Sequence, residues 1–323
     1  MPSSSDSSQN HISASNDTIQ KVFNNDKVRY IRKGYGIIFA FIIAFSYFII
    51  LPPIIKTHIW GNLISLGEKS YVVGLTIYLN HQITFCLCNL MMYFIYTQKI
   101  PFFERYRVNP NKKWPWEENP AEWKLFFKKS LKSILIAHIF IIPGAILLDI
   151  EVGIVMKMSL EEFPSSFEII SQIAFFMLVE DFTFYWVHRF LHHKSIYPYI
   201  HKIHHEYNNT IGISAEYCHP LEFFIANIIP TGMGSKILGG KVHFATYLFW
   251  NILRIFETND GHSGYEFSWS PYRLLPLSGS STYHNYHHSN NDGNYGSFFM
   301  FWDMVMGTNR SFFKHLAEKE KEN

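Results

Sequence analysis

The sequence predicts an all-α integral membrane protein with about four spanning helices and a short helical pair, capped by a cytosolic histidine-rich domain that binds two metal ions. Two observations lead to this fold class. Apolar residues come in long runs, and only 17% of the 323 residues are charged whereas 18% are aromatic. Most of the 17 histidines fall between positions 188 and 288, after those runs, and form three clusters.

Four apolar runs are the predicted spans. A helix of about 20 apolar residues covers the hydrocarbon core of a bilayer, which is about 30 Å thick. The runs are Gly34–Ile55, Tyr71–Tyr96, Ser133–Ile150 and Phe167–Val187. Two weaker segments follow at Leu221–Leu238 and Phe244–Phe256. Because Pro230 and two glycines interrupt the first of them, we expect a short helical pair that crosses the membrane incompletely.

Basic residues beside the spans predict the orientation, because Lys and Arg are enriched in cytosolic loops. Such residues precede the first run and fill the loop after the second, whereas the loop after the third is acidic. The N-terminus is therefore predicted to be cytosolic, and four spans return the chain to the cytosol where the histidines begin. The C-terminus is predicted to be cytosolic as well. All clusters then lie on one face of the membrane, as a shared metal centre requires.

These features divide the chain into four regions. Residues 1–26 are rich in Ser, Asn and Asp and are predicted to be a disordered tail. A transmembrane region covers 27–166, the histidine-bearing region covers 167–310, and 311–323 form a charged tail. The net charge of +2 gives no basic surface for nucleic acid, so no nucleic-acid partner is expected.

The histidine clusters predict a site for two metal ions. Residues three and four apart on a helix share a face, so each cluster can present two or three imidazoles to one point. Eight such side chains are too many for a single ion. The predicted ligands are His188 and His192 in the first cluster, His201, His204 and His205 in the second, and His284, His287 and His288 in the third.

The ligand count and the membrane setting favour iron, while residue type alone leaves a zinc-substituted site open. Imidazole binds zinc, copper, iron and nickel, whereas zinc sites usually hold one four-coordinate ion. His193 follows His192 directly and points about 100° away on a helix, so it is the weakest candidate of its cluster. Asp181 lies on the same helical stripe as His188 and His192. It is predicted to accept a hydrogen bond from a ligand histidine, as carboxylates around metal sites do.

Four of the eight histidines outside the clusters need comment. His262 lies in a turn-like segment, Asn-Asp-Gly-His-Ser-Gly-Tyr, and His219 precedes a proline. Residue type alone leaves open whether either one is a ligand. His81 and His138 lie inside apolar runs and are interpreted as polar contacts between helices.

Six segments carry a resemblance to a known family: HRFLHH, HKIHHEY, AEYCHPLE, HSGYEFSWSP, HNYHH and GNYGSFF. In order and spacing the stretch from about Glu180 to Thr308 resembles the 4-methylsterol monooxygenases of the fatty acid hydroxylase/sterol desaturase superfamily. The resemblance implies that the eight histidines bind two iron ions, that His262 is a ninth ligand, and that His219 is a further candidate. It also implies dioxygen as co-substrate and electrons from NAD(P)H through cytochrome b5.

The same resemblance implies a reaction and its partners. Members oxidise the 4-methyl group of a membrane sterol stepwise to a carboxylate, which a decarboxylating dehydrogenase then removes. The implied partners are the sterol, cytochrome b5 with its reductase, and that dehydrogenase. The implied location is the endoplasmic reticulum membrane, and the C-terminal sequence Lys319-Glu-Lys-Glu-Asn resembles a cytosolic retrieval signal for that compartment.

Departures from the family pattern leave the substrate open. Phe184 stands where many relatives have a further histidine, and Asn291 with Asp292 replaces an apolar pair. The alternatives are oxidation at another sterol position, such as a side-chain alkyl group, and a fatty acyl or sphingolipid hydroxylase or desaturase. A histidine-rich metal transporter is an alternative from another class. It would require ionisable groups along the mid-membrane path, where few are available.

Overall fold

The computed structural model describes residues 34–153 and 156–321. The predicted N-terminal tail and the basic residues before the first span lie outside this part of the chain. Within the described residues the protein is helical throughout and contains no β-strand, only isolated bridges. The prediction of an all-α protein is confirmed.

The N-terminal half supplies the most apolar helices. Its elements are α1 (Tyr35–Ile64), α2 (Lys69–Gln98), the short α3 (Pro101–Glu104) and α4 (Pro115–Glu118), and α5 (Pro120–Val152). Helices α1, α2 and α5, with 30, 30 and 33 residues, are long and apolar enough to cross a membrane. Large apolar side chains on them face outward, which suits contact with lipid; Phe41 and Phe140 are examples.

The C-terminal half contains α6 (Ser166–Leu191), the 3-10 helices His201–Glu206 and Gly212–Glu216, α7 (220–238), α8 (Phe244–His262), α9 (Ser281–Asn290), α10 (Phe301–Met306) and α11 (Arg310–Lys321). Further short 3-10 turns lie at Gly239–Lys241 and Pro271–Leu274. A capping box starts α6, because Ser165 and Glu168 each accept a hydrogen bond from the other's amide.

The fourth predicted span coincides with α6, but that helix is less apolar than expected. Among the described helices, only α1, α2 and α5 are apolar enough to span a membrane by composition. Helix α6 carries Glu180 and Asp181, which are both buried inside the protein. Glu180 accepts a hydrogen bond from Arg254 Nε at 2.8 Å, so its charge is compensated. Helix α6 is therefore a central helix that contacts protein around its polar positions.

Three π-helical turns accommodate prolines in the long helices. The turns Ser46–Ile50, Ala137–Ile141 and Phe223–Ile228 each end two residues before a proline. Proline lacks an N–H group, and its ring clashes with the carbonyl four residues earlier. Since that carbonyl lies inside the widened turn, the helix continues past the proline. The interruption expected at Pro230 is therefore wrong, and 220–238 is one helix.

At one end of the helix bundle, α1, α2 and α5 contact segments that adjoin the histidines. The start of α1 touches the segment after α8, because a Cβ on Gly36 would come within 2.8 Å of the Ser268 carbonyl oxygen. At the end of α2, Tyr96 donates a hydrogen bond to the Ser263 carbonyl at 2.8 Å. From α5, Lys129 pairs with Glu206 at 2.6 Å. The helices thus alternate in direction, and the three histidine clusters share one side of the bundle.

The opposite end shows how far the α7–α8 pair extends. There the Trp60 indole donates to the Met158 carbonyl at 2.8 Å, which joins α1 to the loop after α5. The same loop pairs with the start of α8, since the Phe244 amide donates to the Lys157 carbonyl at 2.8 Å. The pair therefore runs the length of the bundle. This differs from the short, incomplete pair that was expected.

Candidate metal centre

Nine histidines meet in the interior at the shared end of the bundle, in two adjacent groups. In each group the candidate ligand atoms all lie within 4.8 Å of one another. The first group contains His188, His192, His201, His205 and His287, and the second contains His204, His262, His284 and His288. All eight histidines predicted from the clusters are present, and so is His262, which the family resemblance added.

The two groups interleave along the chain. In α9, His284 and His288 are one turn apart and belong to the second group, whereas His287 belongs to the first. The segment that carries His201 and His204 forms a 3-10 helix, not the expected α-helix, because it is too short for a stable α-helix. In a 3-10 helix residues three apart eclipse, so the rings of His201 and His204 stack with centroids 5.5 Å apart. The two stacked rings belong to different groups.

The Nε2 atoms of the rings point toward one another. In the first group the Nε2–Nε2 distances are 3.1 Å for His188–His201, 3.1 Å for His201–His205 and 3.2 Å for His192–His287. In the second they are 3.3 Å for His204–His262, 2.9 Å for His262–His284 and 3.1 Å for His284–His288. Nitrogens about 2.0–2.1 Å from one ion lie about 3 Å apart, so these are the spacings of ligands around a metal.

The opposite ring nitrogen, Nδ1, is held by the surrounding protein. Five rings donate from Nδ1 to backbone carbonyls at 2.6–2.9 Å: His188 to Tyr295, His204 to Tyr217, His262 to Thr258, His287 to Gly293 and His288 to Tyr207. A sixth, His201, donates to the Glu222 carboxylate at 2.7 Å. Donation from Nδ1 fixes the tautomer in which Nε2 carries a lone pair. The centre therefore presents lone pairs, not protons, to its interior.

Inward-facing lone pairs need a positive charge between them, and protonation does not supply it. Burial lowers the pKa of His204 to about 4 and that of His192 to about 3. Burial together with neighbouring imidazoles also holds the pKa of His284 and His288 well below the ordinary value. At neutral pH the rings are neutral, which is the form that binds metals. The donor set thus fits two cations that imidazole prefers.

Two weaker candidates lie outside both groups. His193 is exposed, and its Nδ1 accepts a hydrogen bond from the Ser195 amide at 3.4 Å. His219 caps the start of α7, where its Nδ1 accepts from the Leu221 amide at 3.1 Å. Each side chain accepts a hydrogen bond from a nearby backbone amide, and neither belongs to a group of ligand nitrogens. The structure therefore does not support His193 or His219 as a metal ligand.

The prediction for Asp181 is wrong. Its carboxylate accepts a hydrogen bond from the Phe299 amide at 2.9 Å, and within the described residues it bonds to no histidine. It shares a helical stripe with His188, but seven residues separate them by about 10 Å along the axis. The carboxylate that holds a ligand is Glu222, the last residue of the AEYCHPLE segment. The spacing of that segment gave no sign of this role, because the contact joins residues 21 positions apart.

His262 was expected in a turn, yet it is the last residue of α8. The helix extends through Asp260 and Gly261 because Arg273 donates to the Asp260 carboxylate at 2.9 Å. The His262 ring then bonds back to the Thr258 carbonyl at 2.8 Å. An ion pair with a distant residue thus overrides the local turn signal and aims His262 at the second group.

Comparison with known proteins now identifies the family. Residues 173–308 match the fatty acid hydroxylase family. Methylsterol monooxygenase 1 from Gallus gallus is 35% identical over 271 residues, covering 81% of this chain and 79% of the relative. The chain belongs to the fatty acid hydroxylase family. Methylsterol monooxygenase 2-2 from Arabidopsis thaliana is 31% identical over 265 residues, covering 81% of this chain and 94% of the relative.

A third relative of the chain is named for a different reaction. A very-long-chain aldehyde decarbonylase from Oryza sativa subsp. indica is 32% identical over 267 residues, covering 81% of this chain and 94% of the relative. No solved structure gives a significant match to the chain. The resemblance to methylsterol monooxygenases and the expectation of an oxidoreductase are both confirmed.

In this family member a buried aspartate organises the loop that supports the first group. The Asp303 carboxylate accepts hydrogen bonds from the Tyr295 amide at 2.9 Å, the Gly296 amide at 2.7 Å and the Thr308 hydroxyl at 2.6 Å. The Tyr295 carbonyl in turn accepts from His188 Nδ1. Position 296 requires glycine, because the Cβ of any other residue would come within 2.3 Å of the Phe299 carbonyl oxygen.

We expect Asp303→Ala to destabilise the fold by about 2–4 kcal/mol, since two buried backbone amides lose their acceptor. The thermal midpoint of the purified protein and its iron content measure the effect, and both should fall. The exposed Asp292 in the same loop accepts one hydrogen bond within the described residues, from the Tyr295 hydroxyl at 3.3 Å, so Asp292→Ala is the matched control. Equal midpoints for the two variants would show that Asp303 does not organise the loop.

Three cavities lie at or near the histidines, one of which, of about 40 Å³, touches His262 and His284. A small one of about 30 Å³ touches ligand rings of both groups, together with Phe184 and Cys218. A larger one of about 310 Å³ extends between α2, α5, α7 and α8. Both are lined by Asn227 and Thr258, so these two residues separate the larger cavity from the metal centre. The arrangement suits a substrate that is held in the larger cavity while one end approaches the metal.

Proposed function

We propose that the chain is a membrane-bound di-iron monooxygenase that oxidises the 4-methyl group of a sterol stepwise towards a carboxylate. The observation that carries the proposal is the set of nine imidazoles, seven of them buried and two partly exposed, whose lone pairs converge in two adjacent groups. Two bound iron ions would activate dioxygen, which supplies the oxidising power that an unactivated C–H bond requires.

The residues of the chain would contribute in three ways. The histidines would hold the metal through Nε2, while Glu222 and five backbone carbonyls fix the ring orientations. The buried position of the centre excludes bulk water from it. The larger cavity would hold the sterol so that one carbon lies beside the metal, because position decides which C–H bond reacts.

We further propose that the bundle lies in the endoplasmic reticulum membrane with the histidine end toward the cytosol. The alternating helices and the shared side of the clusters support this topology, and the basic residues beside the first two spans support its direction. A cytosolic centre could receive electrons from NAD(P)H through cytochrome b5 and its reductase. The carboxylated product would pass to a decarboxylating dehydrogenase.

The activity can be tested in lipid vesicles. Iron-loaded protein is supplied with dioxygen, NAD(P)H, cytochrome b5 and its reductase, and with a 4,4-dimethylsterol whose 4-methyl groups are isotopically labelled. We expect mass spectrometry to detect the 4-hydroxymethyl and then the 4-carboxy sterol, and no product without reductant. Products oxidised only on the side chain would contradict the proposed position of attack.

A second candidate has a specific observation in its favour, the 32% identity to an aldehyde decarbonylase. The same vesicles should therefore be offered a very-long-chain aldehyde and a fatty acyl substrate. Turnover of these with none of the sterol would favour an acyl-chain enzyme. Transport of metal is less well supported, because seven of the nine ligand rings are buried and five of the nine are held by backbone carbonyls.

A further inference from the structure

The larger cavity has two polar ends and an apolar middle. At one end Lys236 pairs with Asp149, and both side chains are about half exposed, so this end opens outward. At the other end lie His81 and Glu216, beside Asn227 and Thr258, which border the metal centre. Isoleucine, valine and phenylalanine side chains line the region between. The cavity therefore suits an elongated apolar molecule with a polar group.

The inner polar end is a cluster of three side chains from three different elements. His138 of α5 places Nε2 2.6 Å from Glu216 Oε2, and His81 of α2 places Nε2 3.3 Å from Glu216 Oε1. Gln82 contacts the other nitrogen of His138, with 2.7 Å between Oε1 and Nδ1. The sequence led us to expect only polar contacts between helices from His81 and His138. Their common partner, Glu216, was not foreseen.

Distances distinguish this cluster from a third metal site. Two ligand atoms about 2.0–2.2 Å from one ion lie about 3 Å apart, as in the two histidine groups. The 2.6 Å separation of His138 Nε2 and Glu216 Oε2 is instead that of a charge-assisted hydrogen bond in which Nε2 donates. Burial alone would raise the pKa of Glu216, but His81 and His138 lower it to about 2. The group is therefore a carboxylate.

Glu216 retains capacity to bind a hydroxyl group. A carboxylate can accept about four hydrogen bonds, and the two histidines occupy only part of that capacity. Glu216 borders the larger cavity, while its neighbours Ala215 and Cys218 border the small cavity at the ligand rings. The Tyr217 carbonyl holds His204 Nδ1. A hydroxyl bound to Glu216 would thus lie near the metal centre.

We propose that Glu216, positioned by His81 and His138, is the binding site for the 3-hydroxyl group of the sterol, which enters the cavity hydroxyl end first. The inference rests on the proposed function and specifies how that substrate is oriented. The carbon that carries the 4-methyl groups is bonded to the carbon that carries the hydroxyl. Hydroxyl-first binding therefore brings the 4-methyl groups to the metal and leaves the side chain near Asp149 and Lys236.

The test is equilibrium binding to iron-loaded protein without reductant, so that it does not depend on turnover. A labelled 4,4-dimethylsterol is compared with its 3-deoxy analogue, which lacks the donor and adds no bulk. We expect the sterol to bind about tenfold to a hundredfold more tightly, the effect of a hydrogen bond to a charged group. In Glu216→Ala the two Kd values should become nearly equal. Glu216→Gln should give an intermediate ratio of the two Kd values. This variant replaces Glu216→Ala in the test if the alanine variant does not fold.

Asp149→Asn at the open end is the matched control, because it alters a carboxylate in the same cavity. The ratio of Kd values should not change in this variant. If the ratio falls in Asp149→Asn and persists in Glu216→Gln, the sterol enters side chain first and the proposal is overturned. Equal binding of the two compounds to the unaltered protein, or binding of neither, also overturns it. The proposal is also overturned if the unaltered protein binds three metal ions per chain and the Glu216 variants bind two.

If hydroxyl discrimination is found but no sterol is oxidised, the proposed reaction fails and the binding site stands. If sterols are oxidised at the 4-methyl group without hydroxyl discrimination, the reaction stands and Glu216 has another role. The two conclusions are therefore separable in one set of preparations.

Discussion

The double variant His204→Ala/His287→Ala is expected to lose both metal ions and all measurable sterol oxidation, a fall of at least about a thousandfold (about 4 kcal/mol). The two histidines serve different groups, so each substitution removes one ligand from one ion. His204→Ala leaves three ligands in its group and His287→Ala leaves four. Iron per chain should therefore fall further in His204→Ala alone than in His287→Ala alone.

Elemental analysis and turnover of the same vesicle preparations measure both effects. His193→Ala and His219→Ala are the matched controls, since each removes a histidine that lies outside both groups. Both controls should retain about two iron ions per chain, the number that two ligand groups imply. Circular dichroism should show unchanged helix content in every variant. Persistent oxidation by the double variant would exclude the histidine groups as the centre of the reaction.

The second large effect is expected from Glu222→Ala. This carboxylate accepts the Nδ1 hydrogen bond of His201, whose Nε2 lies 3.1 Å from both His188 and His205. Removing a carboxylate that orients a ligand typically lowers metal affinity or activity by about 10–100-fold. We expect a loss of that size in iron affinity, measured by competition with a chelator, and a parallel loss in turnover.

Two further variants separate orientation from general destabilisation. Glu222→Gln keeps an acceptor for His201 and should restore part of the affinity. Asp181→Asn alters another buried carboxylate of the same region, one that bonds to the Phe299 amide and not to a ligand. It should leave iron affinity unchanged. If Asp181→Asn lowers the affinity as much as Glu222→Ala, the assignment of Glu222 as the orienting carboxylate is wrong.

Helix content, the three most apolar helices and the positions of the clustered ligands follow from local patterns. Spacing of three and four residues gave eight of the nine grouped histidines, because that spacing directly expresses which side chains share a face. The ninth, His262, came only through the resemblance. Its helix continues through Asp260 and Gly261 because of the ion pair with Arg273, and local turn signals cannot report such a contact.

The surroundings of the metal could not be predicted in the same way. The partners of the ligand rings are mainly backbone carbonyls, which every residue possesses and no sequence pattern marks. Glu222 and Glu216 depend on contacts between segments far apart in the chain. Helical geometry placed Asp181 on the same face as His188 but did not take account of the distance between them along the axis. For this reason Asp181 was wrongly predicted to accept a hydrogen bond from a ligand histidine.

The alternation of neighbouring histidines between the two groups has a consequence for changes in chain length. His204 and His205 are joined by one peptide bond but belong to different ligand groups, as do His287 and His288. A substitution at any of these positions removes a candidate ligand from one group only. Inserting or deleting a residue just before either pair would rotate both side chains by about 100–120° and displace candidate ligands of both groups at once. Single substitutions at these positions therefore affect one group at a time, whereas a change in spacing affects both groups.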